Sequence, residues 1–307
     1  MTFRSLFLAA SAIALAACSQ SDVETAEAVS TETVAEAVSD QVEAEVTFDA
    51  EALGAILAVQ DEAVQARFDA RHPAETLEFF GITPGMAVGE ALPGGGWYSK
   101  ILLPYLGAEG HLVGVDYTIP MWGEFGGFAT EEFLANKETW AETWVEEARG
   151  WTDSEAAISA YTFGNLPQDG SLDAFLFIRA LHNLSRFNAE GNYMTDALVA
   201  VHGSLKPGGV VGVVQHASAD DADAEWANGS SGYLRKPDVI AAFEAAGFEL
   251  VGESDVNTNP LDNADVGDFV WRLPPTLGGT EEGSEQRAAM EAIGESNRMT
   301  LLFRKAG

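Results

Sequence analysis

Apolar residues in this chain gather in short, nearly unbroken runs. The runs are Met86 to Ala91, His111 to Val115, Ile158 to Phe163, Leu172 to Ile178, Val210 to Gln215, Phe248 to Ser254 and Met299 to Lys305. A strand covered on both faces reads this way, because neither side of its pleat meets water. Between the runs the apolar period changes to that of a helix. Ile101, Leu102, Tyr105 and Leu106 share one side, and residues 189–205 and 239–246 carry similar patterns. Repeated strand–helix units with short apolar strands predict an α/β fold: a Rossmann-like, doubly wound, mostly parallel sheet. Ahead of the first strand, Asp49 reads as a helix cap, followed at near-helical spacing by Leu53, Ile56, Leu57, Val64 and Phe68. A second short helix is predicted from Ala74 to Phe80, ending at Gly81. Residues 117–156 are rich in tryptophan and acid and predict one or two amphipathic helices, their tryptophans either core or the lining of an acceptor pocket. Residues 257–297 read as a long loop, either a lid or poorly ordered.

The first 48 residues change this picture. Arg4 precedes an apolar run, Leu6 to Ala17, that is too short to span a bilayer and reads as a signal-peptide core. Residues 18–48 are Ala, Glu, Val, Ser and Thr with regularly spaced acids, which predicts a disordered tether. The expected organisation is therefore a signal segment at 1–17, a tether at 18–48 and one folded domain at 49–307. The formal charge is −32. That opposes nucleic-acid binding, which needs Lys and Arg on phosphates, and disfavours adsorption to anionic lipid; its plain meaning is a strongly solvated surface. The single cysteine, Cys18, excludes an intrachain disulfide and a cysteine zinc site. Leu15-Ala16-Ala17-Cys18 resembles the bacterial lipobox. That resemblance implies lipidation of Cys18 and, with Ser19 following rather than Asp, outer-membrane retention on the periplasmic side. The membrane would then be met only through the acyl anchor.

One stretch carries the chemistry. Met86 to Ala91 breaks into Pro93-Gly94-Gly95-Gly96, and a helical pattern starts near Trp97. A strand, a glycine turn and a helix in that order form a cradle whose backbone amides favour an electron-rich or anionic group. Twenty residues past Gly96, Asp116 closes the second apolar run. An acid there suits a ribose diol, so a nucleoside-containing ligand is expected at the rim of the sheet. With Glu90 aligned to the acid of the usual E/D-x-G-x-G-x-G form, Leu92 stands where its first glycine would be, and the turn must be built differently there. His182 and His216 follow the fourth and fifth strands, at the edge where a general base would stand. Each reads equally as a hydrogen-bonded structural histidine. Tyr98 and Arg179 are weaker candidates, and His72, His111 and His202 are scattered without metal-ligand spacing.

Glu90-x-x-Pro-Gly-Gly-Gly-Trp-Tyr98, Gly-Val-Asp116, Leu-His182-Asn183, Leu-Lys-Pro-Gly-Gly209 and Ala-Ala-Gly-Phe248 together resemble the class I S-adenosylmethionine-dependent methyltransferases. They are most similar to a group of bacterial predicted methyltransferases, often exported, with Pro-Gly-Gly-Gly-Trp-Tyr in place of the standard glycine motif. The likeness covers about residues 65–305. It implies a seven-stranded sheet with the last strand antiparallel, and S-adenosyl-L-methionine as cofactor. Carried over, Glu90, Gly94 and Gly96, within the turn Pro93 to Gly96 that includes Gly95, would hold the methionine part. Asp116 would hold the ribose, and Asn165 and Leu166 would border the adenine. Glu90 reads alternatively as a turn cap and Leu166 as core. The function implied is methyl transfer to a small or lipid-like acceptor in the cell envelope. Two alternatives remain: an inactive methyltransferase-fold lipoprotein that binds a nucleoside-type or other small ligand, and a nicotinamide-dependent oxidoreductase. The acceptor's identity and the oligomeric state are not legible.

Overall fold

The structure, a computed structural model, describes residues 47–306. The expected signal segment, Cys18 and the tether as far as residue 46 lie outside the described residues. Asp49 caps the first helix, α1 (Ala50–Ala58), its carboxylate accepting from the Ala52 N–H at 2.9 Å. The predicted pattern to Phe68 then breaks into two single-turn helices, before α2 (Pro73–Phe79) leads to β1 (Ala87–Ala91). The chain continues as α3 (Ser99–Leu106), β2 (His111–Asp116), α4 (Glu131–Glu138), α5 (Trp140–Arg149), β3 (Ala157–Thr162) and β4 (Leu172–Ile178). It ends as α6 (Leu181–Arg186), α7 (Tyr193–Ser204), β5 (Leu205–His216), α8 (Lys236–Ala245), β6 (Phe248–Ser254), α9 (Glu285–Ile293) and β7 (Arg298–Lys305).

The seven strands form one sheet in the order β3-β2-β1-β4-β5-β7-β6. β1 to β5 pair in parallel, and β7 runs antiparallel to both β5 and β6. This is the seven-stranded arrangement that the resemblance implies. Successive residues feed opposite faces. Val113, Val115, Phe175, Phe177, Val211 and Val213 meet one helical layer, which includes Leu198 and Val201 of α7 and Phe243 of α8. Val88, Leu112, Ala174 and Leu176 meet the other, with Leu53 of α1, Leu77 of α2, Ile101 and Leu102 of α3 and Trp144 of α5. Gly114 is required by this second layer, because a Cβ there would lie 2.7 Å from the Trp144 ring. Two-sided burial is thus why the strands are legible as plain apolar runs.

Residues 257–297 differ from the expected loop. They contain a short turn of helix at Val270–Arg272 and the whole of α9. Polar side chains fix the segment together with the buried Val270, Leu273 and Leu277. The Asn259 amide donates to the carbonyls of Ile293 and Glu295 at 2.8 and 2.6 Å. Asp262 accepts from the Asn297 N–H at 2.9 Å, from the Tyr233 hydroxyl and from Arg272. Ser284 caps α9 through the Arg287 N–H at 3.1 Å. No helix among the described residues is long and apolar enough to cross a membrane.

Candidate functional site

The strand order reverses between β1 and β4, since β2 and β3 lie to one side and β5 to the other. In an open α/β sheet the crevice beyond the strand ends at such a point is where ligands bind. Read along that edge, the residues are Asp116 at the end of β2, Glu90 and Leu92 at β1, Arg179 just past β4, His216 at the end of β5 and Arg298 at the start of β7. Backbone pairing fixes this row. Leu92 N–H donates to Val115 at 2.7 Å, Arg179 N–H donates to Val214 at 2.7 Å, and His216 is paired with Arg298.

The β1 turn is built as the missing glycine demands. Leu92 itself takes the left-handed region at φ 49°, which a residue with a Cβ enters only at a cost. Gly94 and Gly96 follow at φ 55° and 75°. The Gly96 N–H closes on the Pro93 carbonyl at 2.9 Å. A Cβ at Gly95 would meet nothing within 4 Å, so the turn is open there, whereas one at Gly96 would strike Trp151 at 2.4 Å. The open side of the turn fits the close approach of a ligand.

Glu90 is buried and has one hydrogen bond, from the Ser99 hydroxyl at 2.6 Å. Burial pushes its carboxyl up to about 7, with Ser99 and Arg179 pulling partly the other way. Asp116 is also buried, and both its oxygens are engaged. Oδ1 accepts from the Tyr117 N–H at 2.7 Å and Oδ2 from Lys137 Nζ of α4 at 2.7 Å. Burial raises its carboxyl above the usual range, with Lys137 the main opposing influence. Lys137 also lies over the Trp122 ring, 4.2 Å from its centroid. The acid expected to meet a ribose therefore already holds an ammonium. Sequence reasoning missed Lys137, although it is the single basic residue between positions 117 and 148.

Asn165 and Leu166 lie apart from the glycine turn, beyond β3. The Asn165 side-chain oxygen Oδ1 accepts from the Thr162 N–H and hydroxyl at 2.7 and 3.0 Å, and Leu166 is buried in the main apolar cluster. A cleft of about 470 Å³ opens beside Asn165, lined among others by Thr118, Ile119, Phe163, Leu184 and Tyr193. It is mostly apolar with a few polar groups and begins two residues past Asp116, the character of a small-ligand cleft.

His182 and His216 are brought together, their ring centroids 5.7 Å apart. Both are buried. Burial holds His182 down at about 4, and holds His216 well below the usual range with His182 and Arg179 adding to the effect. His216 Nδ1 is 2.5 Å from the Ser296 hydroxyl, while His182 Nδ1 has no partner. Both rings are neutral at pH 7. Tyr98 is buried, its hydroxyl donating to the Arg71 carbonyl at 3.4 Å. Among the described residues no group of three or more His, Cys, Asp or Glu could hold a metal ion.

No protein-family model matches this chain, and no curated protein matches it. Solved structures do. A SAM-dependent methyltransferase from Aquifex aeolicus is 17% identical, with 68% of this chain and 94% of that one covered and a TM-score of 0.40. The 1,6-didemethyltoxoflavin-N1-methyltransferase of Burkholderia thailandensis, solved with 1,6-didemethyltoxoflavin and S-adenosylhomocysteine, is 14% identical over 80% of this chain and 82% of that one, with a TM-score of 0.44. The [4+2]-cyclase SpnF is 16% identical over 77% and 80%, with a TM-score of 0.48. At that distance the fold assignment stands on this chain's own strand order.

Proposed function

We propose that this protein is an S-adenosyl-L-methionine-dependent methyltransferase of the cell envelope acting on a small or lipid-like acceptor. One observation carries the reading: Glu90, the open glycine turn and Asp116 stand side by side at the switch point of a seven-stranded sheet with an antiparallel β7. Glu90 and the turn from Pro93 to Gly96 would hold the methionine part, Asp116 the ribose, and the cleft beside Asn165 the adenine. The cofactor supplies an activated methyl group on its sulfonium. The chain then has to align the acceptor and keep water out. His182 and His216, neutral and buried, are able to accept a proton. Burial and Arg179 make their charged forms costly, which suits an acceptor that needs little help in losing its proton. The antiparallel β7 argues against a nicotinamide-dependent oxidoreductase, whose binding domain would be parallel throughout.

Calorimetric titration of the full chain with S-adenosylmethionine tests the reading, and no binding at millimolar cofactor sinks it. Asp116→Ala should weaken binding about tenfold, the scale of one lost charged hydrogen bond. Unchanged affinity in a folded variant removes Asp116 from the ribose site. The second reading is a binding module without turnover, and the Lys137–Asp116 pair together with Leu92 favours it. Release of S-adenosylhomocysteine in the presence of envelope extract separates the two.

The envelope location rests on the first eighteen residues. Labelled palmitate should enter the wild-type chain and not Cys18→Ala; labelling of both, or of neither, refutes lipidation at Cys18.

A further inference from the structure

Four arginines meet at this edge of the sheet in a chain with only sixteen basic residues and a net charge of −32. Among the described residues Glu295 is the one carboxylate in ion-pair contact with any of them, while Glu90 stands near enough to Arg179 to feel its charge. Arg67, Arg71 and Arg298 approach it at 2.5, 3.4 and 3.4 Å. Arg71 and Arg298 have further structural work. The Arg71 guanidinium lies 4.5 Å from the centre of the Trp97 ring, and Arg298 donates to the Ala70 carbonyl. Arg179 has no such employment. No carboxylate lies within ion-pair reach of it among the described residues, and its Nε is buried without a hydrogen-bond partner. Its residue is held at φ 58°, outside the comfortable range for a side chain of this size. It is partly exposed, so a ligand can reach it. His182, three residues on, presents an Nδ1 that also has no partner.

A guanidinium without an ion-pair partner, its Nε buried and unbonded and the rest of the group within reach of solvent, is a seat for an incoming anion. The charges agree. Burial and then Arg179 hold Arg71 down at about 9, and burial and then Arg298 hold Arg179 down at about 10. Glu295 is held low although burial alone would raise it, because Arg71, Arg298 and Arg67 outweigh that effect. One ion-paired carboxylate does not balance the group, and Glu90, its carboxyl pushed up to about 7, is only partly ionised beside it. A planar guanidinium matches the paired oxygens of phosphate and carboxylate, and does so far better than it matches a neutral ligand or a halide.

We infer that Arg179, with Arg71 and Arg298 behind it, binds a small doubly charged oxyanion, a phosphate ester or a dicarboxylate, at the C-terminal edge of β4. The site stands without the methyl-transfer reading. If that reading holds, the oxyanion belongs to the acceptor, placed beside the histidine pair and next to the glycine turn.

The test is titration and thermal melting of the full chain with sodium phosphate and, separately, sodium succinate, at constant ionic strength set with sodium chloride. At least one anion should bind and raise the melting temperature, and which one does so tells the phosphate source from the carboxylate source. Arg179→Gln should weaken binding at least tenfold and abolish the thermal shift. Without anion it should melt no lower than wild type, since it removes an unpaired charge. Because that variant could fold badly, a second measurement uses the wild type alone: the binding anion should protect Arg179 from phenylglyoxal, read by peptide mass spectrometry. Failure of both anions to bind, equal binding by Arg179→Gln, or an unprotected Arg179 overturns the inference. Titration with S-adenosylmethionine is a separate arm. Anion binding without cofactor binding keeps the site and removes methyl transfer; the converse does the reverse.

Discussion

Glu90→Gln is expected to raise the melting temperature markedly at pH 8 and to change it little at pH 4.5. The folded chain holds the Glu90 proton up to about pH 7, against 4.5 for the free side chain. A carboxyl raised in this way stabilises the fold most fully below its unfolded value, and that benefit is lost as pH rises through the folded value. Between pH 4.5 and pH 7 the unfolded chain gives up its proton first, and by pH 8 the fold carries a buried carboxylate with one hydroxyl partner. The difference of about 2.5 pH units corresponds to about 3 kcal/mol. Glutamine keeps the shape and can still accept from Ser99 without ever ionising. In a chain of this length each kcal/mol moves the midpoint by about 2–4 °C. His182 titrates in the opposite sense: its contribution is present above pH 6.5 and fades as pH falls toward 4. That term is common to both proteins and cancels in the comparison. Equal melting of the two at pH 8 would mean that Glu90 is not held in its neutral form.

Lys137→Met should tighten nucleoside binding tenfold to a hundredfold while lowering the melting temperature. In the structure Lys137 Nζ occupies Asp116 Oδ2 at 2.7 Å, and the Tyr117 N–H takes Oδ1. A ribose diol must displace the ammonium. Breaking a hydrogen bond to a charged group costs about 1.5–3 kcal/mol, which gives the expected gain when nothing has to be displaced. The fold suffers for the converse reason, because a buried carboxylate stripped of its cation is costly. Titration with S-adenosylmethionine at pH 8, where the ionised carboxylate is favoured, together with a thermal melt, reads both effects. Weaker or equal binding in a folded variant would show that Lys137 does not compete for the ribose acid.

The sheet was legible because its strands are covered on both faces. β4 and β6 coincide with their apolar runs, β1, β2, β3 and β7 are offset by one residue at one end or both, and β5 starts five residues ahead of its run, at Leu205, taking in the Lys206 to Gly209 stretch that reads as a turn. Helix α9 was not legible: its segment is held by Asn259 and Asp262 through contacts far along the chain, and no local pattern announces that. At the turn, the sequence shows only that a glycine is missing at position 92. It does not show that leucine takes up the glycine-like backbone itself. The two carboxylates and two histidines could be placed because each lies at or just beyond the C-terminal end of an apolar run. Lys137 and the arginine group could not. Arg67 and Glu295 are 228 positions apart, and only the folded sheet brings them into contact.

The insertion of β7 between β5 and β6 also bears on the order in which the molecule can assemble from its N-terminal end. β1 to β4 can pair as soon as each emerges. β6 cannot, because its only neighbour in the sheet lies more than forty residues further along the chain. Until then β5 presents a free hydrogen-bonding edge, and the arginine that starts β7 is absent from the crevice. Closure of the sheet and completion of that crevice are therefore a single late event, set by the slow, long-range docking of one strand.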